Sequence, residues 1–491
     1  MSEFDVAIVG AGNAAMCAAL AAREAGASVV VLEAAPEDER GGNSRFTAGA
    51  MRVAYDGVAS LRRLMPDLTD DEVARTDFGV YDEAQFFDDM ARVTQARTDP
   101  ELCERLVRRS AETLLWMRAN GVRFAPIWGR QAFKVDGRFR FWGGLTVEAS
   151  GGGPGLIDAL TAALAKRSIP IRYGCRALRL IAGDDGVVRG VVAREAGRTL
   201  EIAARSVILA AGGFEANAEW RCRYLGPGWD LARVRGSRFN VGDGIRMALE
   251  IGAMPFGHWS GCHAVGWDLN APPFGDLAVG DGFQKHSYPF GIMVNATGRR
   301  FVDEGADFRN YTYAKYGRVI LEQPDQFAWQ IFDAKVTHLL RDEYRIRRVT
   351  KAKADTLEAL AARLDGVDAA AFLDEVRRWN AAVRTDVAFD PNVRDGRGTR
   401  GLAVPKSNWA NTLDAPPYEA YAVTCGVTFT FGGLKITPDT GAVLDPTGAP
   451  IPGLFAAGEL VGGLFYFNYP GGAGLTSGSV FGRLAGTAAA R

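Results

Sequence analysis

The chain has 491 residues, of which 47% are hydrophobic, so it can bury a large core and is long enough for two domains. Its 57 Lys and Arg residues balance 58 Asp and Glu residues, and the formal net charge of -1 argues against binding to nucleic acid or to an anionic membrane. No run of about 18 apolar residues could span a membrane, and the six scattered cysteines include no CxxC pair. We therefore expect a cytoplasmic protein with reduced thiols that binds a small molecule.

The first elements of the chain are predicted to form a βαβ unit. FDVAIVGAGNAAMCAALAAREAGASVVVLEA (4–34) consists of an apolar strand, a glycine turn, an alanine-rich helix and a second apolar strand. Gly10 permits a tight turn, Gly12 lets backbone N–H groups approach a pyrophosphate, and Glu33 can accept hydrogen bonds from a ribose. This pattern predicts a dinucleotide site, and a plain tight turn in a βαβ fold is the alternative. Its candidate residues are Gly10, Gly12, Asn13, Ala14, Ala15, Glu33 and Ala34.

Further glycine clusters favour FAD over NAD as the dinucleotide. They are RGGNSRFTAGAM (40–51), SGGGPGLIDAL (150–160) and PGLFAAGELVGG (452–463). A flavin with its ribityl chain is long and needs backbone donors along its length, whereas a nicotinamide cofactor needs only the first site. Glu459 is expected to reach the ribityl hydroxyls or a neighbouring donor. The further candidate FAD-binding residues are Gly41, Gly42, Asn43, Ser44, Thr47, Ala48, Gly49, Arg176, Ala177, Ala210, Ala211, Gly212, Gly458, Glu459, Gly472, Gly474 and Leu475.

The elements that follow suggest how the chain divides into domains. Asp99 as N-cap, Pro100 at the first helical position and Gly121 as the stop predict a helix. Between about 255 and 390 the composition shifts, because aromatic residues and basic clusters gather there, and strand-like, glycine-rich sequence follows. The sequence predicts that the two ends of the chain form one domain and that the middle is a second, inserted domain. The predicted segments are residues 1–258, 259–395 and 396–491.

Motifs along nearly the whole chain resemble those of the fumarate reductase and succinate dehydrogenase flavoprotein family, in the family's order. They are GGNSRFTAGAM, SVILAAGGFEAN, GDGIRMALEIGA, VNATGRRFVDE, TFGGLKITPDTGAVLD, IPGLFAAGE and GRLAG. The resemblance implies an α/β fold with a Rossmann-like FAD-binding domain of the glutathione-reductase type and an inserted α+β capping domain. Some family members bind flavin covalently through a histidine near the second glycine motif. Residues 40–51 contain no histidine, so the resemblance implies non-covalent FAD.

Within this family, four stretches resemble the members that dehydrogenate tricarballylate. They are ERGGNSRFTAGAMRVAYDG, WSGCHAVGWDLNAPPFGD, DEGADFRNYTYAKYGR and FYFNYPGG. They imply trans-elimination of hydrogen from a small polycarboxylate, which gives an alkene of the cis-aconitate type. Such a reaction needs a base that takes one proton while the neighbouring carbon gives a hydride to flavin N5.

The resemblance also implies the catalytic residues. His263 matches the family's substrate-binding histidine, and Tyr469 is expected to contact the substrate. Arg309 lies one residue after the place of the family's proton-transfer arginine, where this chain has Phe308. Tyr311 and Tyr313 are candidate substitutes for Arg309. An arginine can act as a base only where its surroundings lower its pKa.

Two departures from the family pattern bear on the substrate. Fumarate reductases hold a substrate carboxylate with a histidine and an arginine at places that are occupied here by Phe429 and Tyr469. We therefore do not expect a four-carbon diacid held in that manner. YPGGAG (469–474) also resembles the 3-ketosteroid dehydrogenase branch, where the tyrosine holds a carbonyl oxygen, so a ketosteroid-type dehydrogenase stays open. A non-catalytic flavin electron-transfer subunit is the alternative from another class.

The electron acceptor is expected outside the chain, because the sequence has neither grouped cysteines nor a haem motif. The resemblance implies a separate, membrane-associated iron–sulfur protein, with oxygen or a quinone as alternatives. The predicted partners are thus a small polycarboxylate and this acceptor, with no nucleic acid and no direct membrane span.

Overall fold

The structure is a computed structural model that describes residues 3–135, 137–141 and 144–491. Its strands are β1 Phe4–Val9, β2 Val29–Leu32, β3 Ala50–Met51, β4 Thr76–Asp77, β5 Phe124–Pro126, β6 Ala132–Val135, β7 Arg138–Phe141, β8 Val147–Ala149, β9 Ile171–Arg172, β10 Cys175–Ala182, β11 Val188–Glu195, β12 Arg198–Leu209, β13 Arg233–Val234, β14 Pro255–Asp268, β15 Ile292–Val294, β16 Ala328–Phe332, β17 Lys351–Ala354, β18 Tyr418–Leu434, β19 Ala442–Leu444 and β20 Pro450–Ala456. Its helices are α1 Asn13–Glu24, α2 Val58–Leu64, α3 Asp70–Ala74, α4 Glu83–Thr94, α5 Pro100–Ala119, α6 Trp128–Gln131, α7 Gly152–Lys166, α8 Ala218–Trp220, α9 Asp243–Glu250, α10 Tyr313–Leu321, α11 Leu357–Ala361, α12 Ala369–Ala382 and α13 Ala473–Ala489.

The first sheet has a parallel core in the order β20, β12, β1, β2, β9. The first half of β12 pairs instead with β11, which pairs antiparallel with β10. Strand β2 and the last four residues of β1 are buried, as their apolar sequences require. The predicted βαβ unit and the Rossmann-like α/β fold are therefore confirmed. The predicted helix after Asp99 is α5, whose first N–H groups are capped by the Asp99 carboxylate.

Helix α13, near the C-terminus, packs against α1, near the N-terminus. Gly482 and Gly486 of α13 face the carbonyl oxygens of Ala14 and Ala18 of α1 so closely that a side chain at either glycine would clash. Such close packing needs glycine, because it removes the Cβ that would separate the backbones. The two helices consequently begin at the same edge of the first sheet.

The second sheet is built around β18, which pairs antiparallel with β14, β16 and β17 and parallel with β13. Strand β15 lies beyond β16, and α11 and α12 close an apolar core beneath this sheet. The sequence places β18 in the last segment of the first domain and starts the inserted domain at residue 259. In the structure, β18 (418–434) is part of the second sheet and β14 begins at Pro255. The domain bounds themselves stay a prediction.

Across the described ranges, no helix combines the length and the apolar character that crossing a membrane requires.

Candidate functional site

A continuous cavity runs between the two sheets. The carboxyl ends of β1, β2 and β12 line one end, together with the N-termini of α1 and α13. Residues of β14, β18 and α10 line the other end. Ligands in open α/β sheets bind at this carboxyl edge, where strands end and helices begin. We call the two parts the dinucleotide end and the catalytic end.

At the dinucleotide end, two helices begin with a glycine as N-cap. Helices α4 and α5 are capped by the side chains of Asp82 and Asp99, whereas α1 follows Gly12 and α13 follows Gly472, and neither has an acidic residue in its first turn. At α1, the Ser44 hydroxyl accepts the N–H of Asn13 at 3.2 Å. The N-termini of α1 and α13 therefore point their partial positive charge at the cavity. This arrangement suits an anion such as a pyrophosphate.

The first turn also fits a dinucleotide. Gly10 has φ +107°, and a Cβ there would clash with the carbonyl of Ala210. Only glycine permits this conformation, and it brings the backbone after β1 close to the cavity. Together with the glycines along the cavity wall, the donor set fits FAD over its whole length.

At the catalytic end, Tyr313 is surrounded by candidate catalytic side chains. Its hydroxyl donates to the Tyr469 hydroxyl at 2.7 Å. Its ring centre lies 5.0 Å from those of His263 and His286, and 5.8 Å from the guanidinium carbon of Arg309. Burial raises the pKa of both tyrosines. Both hydroxyls are therefore protonated at neutral pH and can donate hydrogen bonds.

An irregular part of β14 positions His263. Pairing with β18 slips between His258 and Cys262, and again between His263 and Ala264. Both ring nitrogens of His263 and of His286 are buried without a hydrogen-bond partner among the described residues. Burial lowers the pKa of both histidines well below the usual value. These two neutral rings offer one donor and one acceptor each to a bound molecule.

Arg309 lies in the one-turn 3-10 helix Arg309–Tyr311, which precedes α10. Its Nη2 donates to the carbonyl of Arg130 at 3.0 Å, and its buried Nε has no partner among the described residues. Burial lowers the pKa of Arg309, while the Glu343 carboxylate opposes this change. A lowered pKa is the condition under which an arginine can exchange a proton.

Several charged residues of this end escaped the sequence analysis. Asp281 forms ion pairs with Arg130 and Arg235. Burial, and then the nearby Arg309, lower the pKa of Arg341 to about 9. No local pattern marks these residues, because they come from separate segments that meet only in the folded chain. Four arginines, which we call the arginine cluster, line this end: Arg130, Arg235, Arg309 and Arg341.

Comparisons with known proteins identify the family. A probable fumarate reductase of Shewanella frigidimarina is 33% identical over 99% of this chain and 74% of its own length. A family model described as FAD binding domain matches residues 5–475. The chain belongs to the FAD-binding flavoprotein family of the fumarate reductases.

Two further known proteins are similar to this flavoprotein over nearly all of its length. The open conformation of a flavocytochrome c3 fumarate reductase has a TM-score of 0.74 and 29% identity, covering 99% of this chain and 78% of that chain. A 3-oxosteroid 1-dehydrogenase of Mycobacterium tuberculosis is 26% identical and covers 96% of both chains. The flavoprotein is thus an oxidoreductase that uses FAD.

Most predicted FAD-binding residues of the flavoprotein line the cavity, but three do not. Ala15 is fully buried within α1. Gly41 has φ +100° and leaves no room for a Cβ beside Ile157, and Gly49 packs in the same way against Gly152. These two glycines permit the turns but do not themselves line the cavity. The predicted residues on the cavity wall are Gly10, Gly12, Asn13, Ala14, Glu33, Ala34, Gly42, Asn43, Ser44, Thr47, Ala48, Arg176, Ala177, Ala210, Ala211, Gly212, Gly458, Glu459, Gly472, Gly474 and Leu475.

The two predicted acids of the dinucleotide end are buried and hydrogen-bonded. Glu33 accepts the backbone N–H groups of Ala11 and Ala35, each at 2.8 Å. Glu459 accepts the N–H of Thr430 at 2.9 Å. It lies beside the carboxyl group of Glu215, which accepts from the side-chain amides of Asn43 and Asn240. Burial raises the pKa of all three carboxyl groups.

Among the predicted catalytic residues, Arg309, His263 and Tyr469 line the cavity, whereas Tyr311 does not. The Tyr311 hydroxyl points away and donates to Asp89 at 3.1 Å. In a 3-10 turn, residues two apart point in different directions, so Tyr311 and Arg309 cannot face the same space. Of the two candidate substitutes for Arg309, it is Tyr313, at the start of α10, that reaches the cavity.

Proposed function

We propose that this flavoprotein dehydrogenates a small polycarboxylate of the tricarballylate type to an alkene of the cis-aconitate type. The observation that carries the proposal is the charge of the catalytic end. The arginine cluster places four guanidinium groups there. Among the described residues that line this end, only Asp281 and Glu343 carry carboxylates. In this described lining, arginines therefore outnumber carboxylates, which favours an anionic substrate.

The positions of these charges favour more than one substrate carboxylate. Arg309 is buried and Arg341 is half-buried, and the neutral rings of His263 and His286 lie beside Tyr313. Guanidinium groups hold carboxylates with two parallel hydrogen bonds, so separate arginines suit separate carboxylates. A third carboxylate on the same small molecule can accept hydrogen bonds from the histidine and tyrosine side chains.

The same residues supply the proton chemistry. Bound FAD supplies the hydride acceptor. In the resting site Arg309 is one of the four guanidinium groups. We assign the removal of the carbon-bound proton to its neutral form, which it reaches by releasing a proton to solvent and which becomes guanidinium in that step. The Tyr469 hydroxyl, which accepts its hydrogen bond from Tyr313, keeps its own proton to donate to a substrate oxygen.

Phe429 and Tyr469 distinguish this site from one built for a four-carbon diacid. Their rings pack edge to face 5.0 Å apart and bring no positive charge to that side of the cavity. A substrate group in contact with them is therefore uncharged or shares its charge with the Tyr469 hydroxyl. This favours a longer polycarboxylate whose charges lie towards the arginine cluster.

Anaerobic addition of tricarballylate to the FAD-loaded protein tests the proposal. Loss of the yellow flavin absorbance, with formation of an alkene product, is the expected result. Succinate, with two carboxylates, is expected to bleach the flavin at least about 10-fold more slowly, because it lacks the third carboxylate and leaves buried hydrogen-bonding groups of the site without a partner. Bleaching by a 3-ketosteroid alone would remove the polycarboxylate assignment.

A ketosteroid-type dehydrogenase is the second candidate. It is favoured by the Tyr313–Tyr469 hydroxyl pair and by the aromatic wall of Phe429 and Phe465, which suit a ketone on an apolar skeleton. A relative of 26% identity is named as a 3-oxosteroid 1-dehydrogenase. The arginine-rich lining of the catalytic end weighs against this candidate, because an uncharged steroid offers the guanidinium groups no carboxylate. A flavin that no substrate bleaches would instead indicate a non-catalytic electron-transfer subunit.

We also propose that FAD is held without a covalent bond and that electrons leave to a separate, membrane-associated acceptor protein. Asn43, in the second glycine motif, has its side chain engaged by Glu215 and by the carbonyl of Thr428. Denaturation is expected to release all the flavin into solution. Flavin that stays with the unfolded chain on a gel would contradict this assignment.

A further inference from the structure

A buried carboxylate behind the catalytic end joins three elements. Asp89, on α4, is 7% exposed. Its Oδ2 accepts the Tyr81 hydroxyl at 2.8 Å and the Nη1 of Arg52 at 3.0 Å, and its Oδ1 accepts the Tyr311 hydroxyl at 3.1 Å. Neither Asp89 nor its three donors line the cavity, so these groups do not touch the substrate.

Arg52 connects this carboxylate to the loop before α13. Its Nε donates to the carbonyl of Gly471 at 2.9 Å, and its backbone N–H donates to the carbonyl of Gly472 at 3.2 Å. The Thr476 hydroxyl donates back to the Arg52 carbonyl at 2.8 Å. Arg52 is 0% exposed, so this loop is held by a fully buried cation whose counter-charge is Asp89.

Tyr311 connects the same carboxylate to the segment that carries Arg309. The two residues share one 3-10 turn. The guanidinium carbon of Arg92 lies 3.5 Å from the centre of the Tyr311 ring, and Arg92 also pairs with Asp307 at 3.2 Å. Asp89 and Arg92 of α4 therefore both contact this turn or the residues just before it.

A direct hydrogen bond also links the turn that carries Arg309 to the loop before α13. The Asn468 side-chain amide donates to the Tyr311 carbonyl at 2.7 Å, and the Asn468 side-chain oxygen accepts the N–H of Tyr469 at 2.9 Å. The turn with Arg309 and the loop with Tyr469 are therefore tied to each other directly and, through Asp89 and Arg52, by a second path.

We propose that Asp89 is a positioning residue that fixes Arg309 relative to Tyr469 and the Gly471–Gly472 backbone. A buried ion pair adds little net stability over an apolar replacement, but its fixed hydrogen bonds can select one arrangement. A misplacement of about 1 Å between reacting groups can cost about 100-fold in rate, so such a link has a catalytic effect without touching substrate. The catalytic part rests on the proposed role of Arg309, whereas the link between the two segments does not.

Tyr311→Phe is the test variant, because Asp89→Asn would leave the buried Arg52 without its counter-charge and could prevent folding. Tyr316→Phe is the matched control. Among the described residues, the Tyr316 hydroxyl donates to the Asp303 carbonyl and makes no contact with Asp89 or with the loop before α13. Amide hydrogen exchange of the FAD-loaded proteins is expected to accelerate in Tyr311→Phe at both 309–313 and 468–473. Acceleration at 309–313 alone, or at neither segment, would overturn the proposal.

Steady-state kinetics with tricarballylate give the second readout. Tyr311→Phe is expected to lower kcat about 10-fold or more with KM changed less than about 3-fold, whereas Tyr316→Phe changes neither by more than about 3-fold. Accelerated exchange with an unchanged kcat would show that the link exists but does not position catalytic groups, which also overturns the proposal. If tricarballylate is not turned over by the parent protein, the proposed function fails, and the exchange experiment still decides whether the link exists.

Discussion

At the scale of single residues, Arg309 is buried at the cavity, and its Nε has no hydrogen-bond partner in the part of the chain that the structure describes. Arg309→Lys keeps the positive charge but replaces the planar guanidinium with a shorter amine that cannot reach the same point. We expect kcat with tricarballylate to fall about 1,000-fold, within the usual range for loss of a proton-transfer group. Steady-state kinetics at equal FAD content measure the effect.

The control for this substitution is Arg318→Lys, which changes an arginine of α10 that donates to the Ser260 carbonyl and does not line the cavity. It is expected to keep kcat within about 3-fold of the parent value. An Arg309→Lys enzyme that also keeps its kcat would show that another group moves the proton.

Tyr469 is the second residue with a specific expectation. Tyr469→Phe removes the hydroxyl that accepts from Tyr313 and faces the cavity. We expect kcat/KM to fall about 10- to 100-fold, because one donor to developing charge is lost and the Tyr313 hydroxyl is left unpaired. Tyr466→Phe, three residues earlier and outside the cavity, is the matched control. Equal losses in both variants would contradict the assignment.

A site residue can be predicted from the sequence when neighbouring residues in the chain determine its conformation. Gly10 could be found from the sequence because its positive φ is imposed by its own turn. Arg341 could not, because only the folded chain brings it to Arg309. Tyr311 was misplaced for a different reason: register along a chain does not give side-chain direction in a 3-10 turn.

At the scale of elements, the packing of α13 on α1 determines where two helix N-termini meet the cofactor. Gly486→Ala would place a methyl group against the carbonyl of Ala18. Overpacking costs about 1–3 kcal/mol, which outweighs the gain of about 1 kcal/mol in helix propensity. We expect a lower Tm and weaker FAD binding, measured by thermal unfolding and by titration of the FAD-free protein.

Gly129→Ala is the control for this change, because a Cβ at Gly129 in α6 meets nothing within 4 Å. It is expected to leave the Tm unchanged or to raise it slightly. Equal effects of the two substitutions on Tm and FAD affinity would show that helix packing does not determine cofactor binding.

The elements also differ in how far the sequence reveals them. Strand β1, α1 and β2 are consecutive, so their periodicity and the glycine turn between them predict both the elements and their pairing. Strands β14 and β18 pair across more than 150 residues of chain, and no local pattern expresses that pairing. This is why β18 was predicted with the first domain although it forms the centre of the second sheet.

At the scale of the whole molecule, the two buried histidines make stability depend on pH. Burial holds the pKa of His263 and His286 well below 6.5 in the folded protein, whereas the unfolded chain binds protons at about that value. Below pH 6.5 the unfolded state therefore binds more protons than the folded state. Their contribution to stability is complete above pH 6.5 and is lost as the pH falls below it.

The surroundings of His286 strengthen this effect, because Arg235, Arg309 and Arg341 all oppose its protonation. Each buried histidine is expected to lower the free energy of unfolding by up to about 1.4 kcal/mol per pH unit below 6.5. Urea unfolding of the FAD-loaded protein between pH 7.5 and 5.5 measures this slope. His286→Gln is expected to reduce it by about one histidine's share, whereas His338→Gln, at an exposed position, leaves it unchanged. A slope that persists in full after His286→Gln would mean that His286 takes up its proton inside the folded protein, and its ring would then add a positive charge beside the arginine cluster.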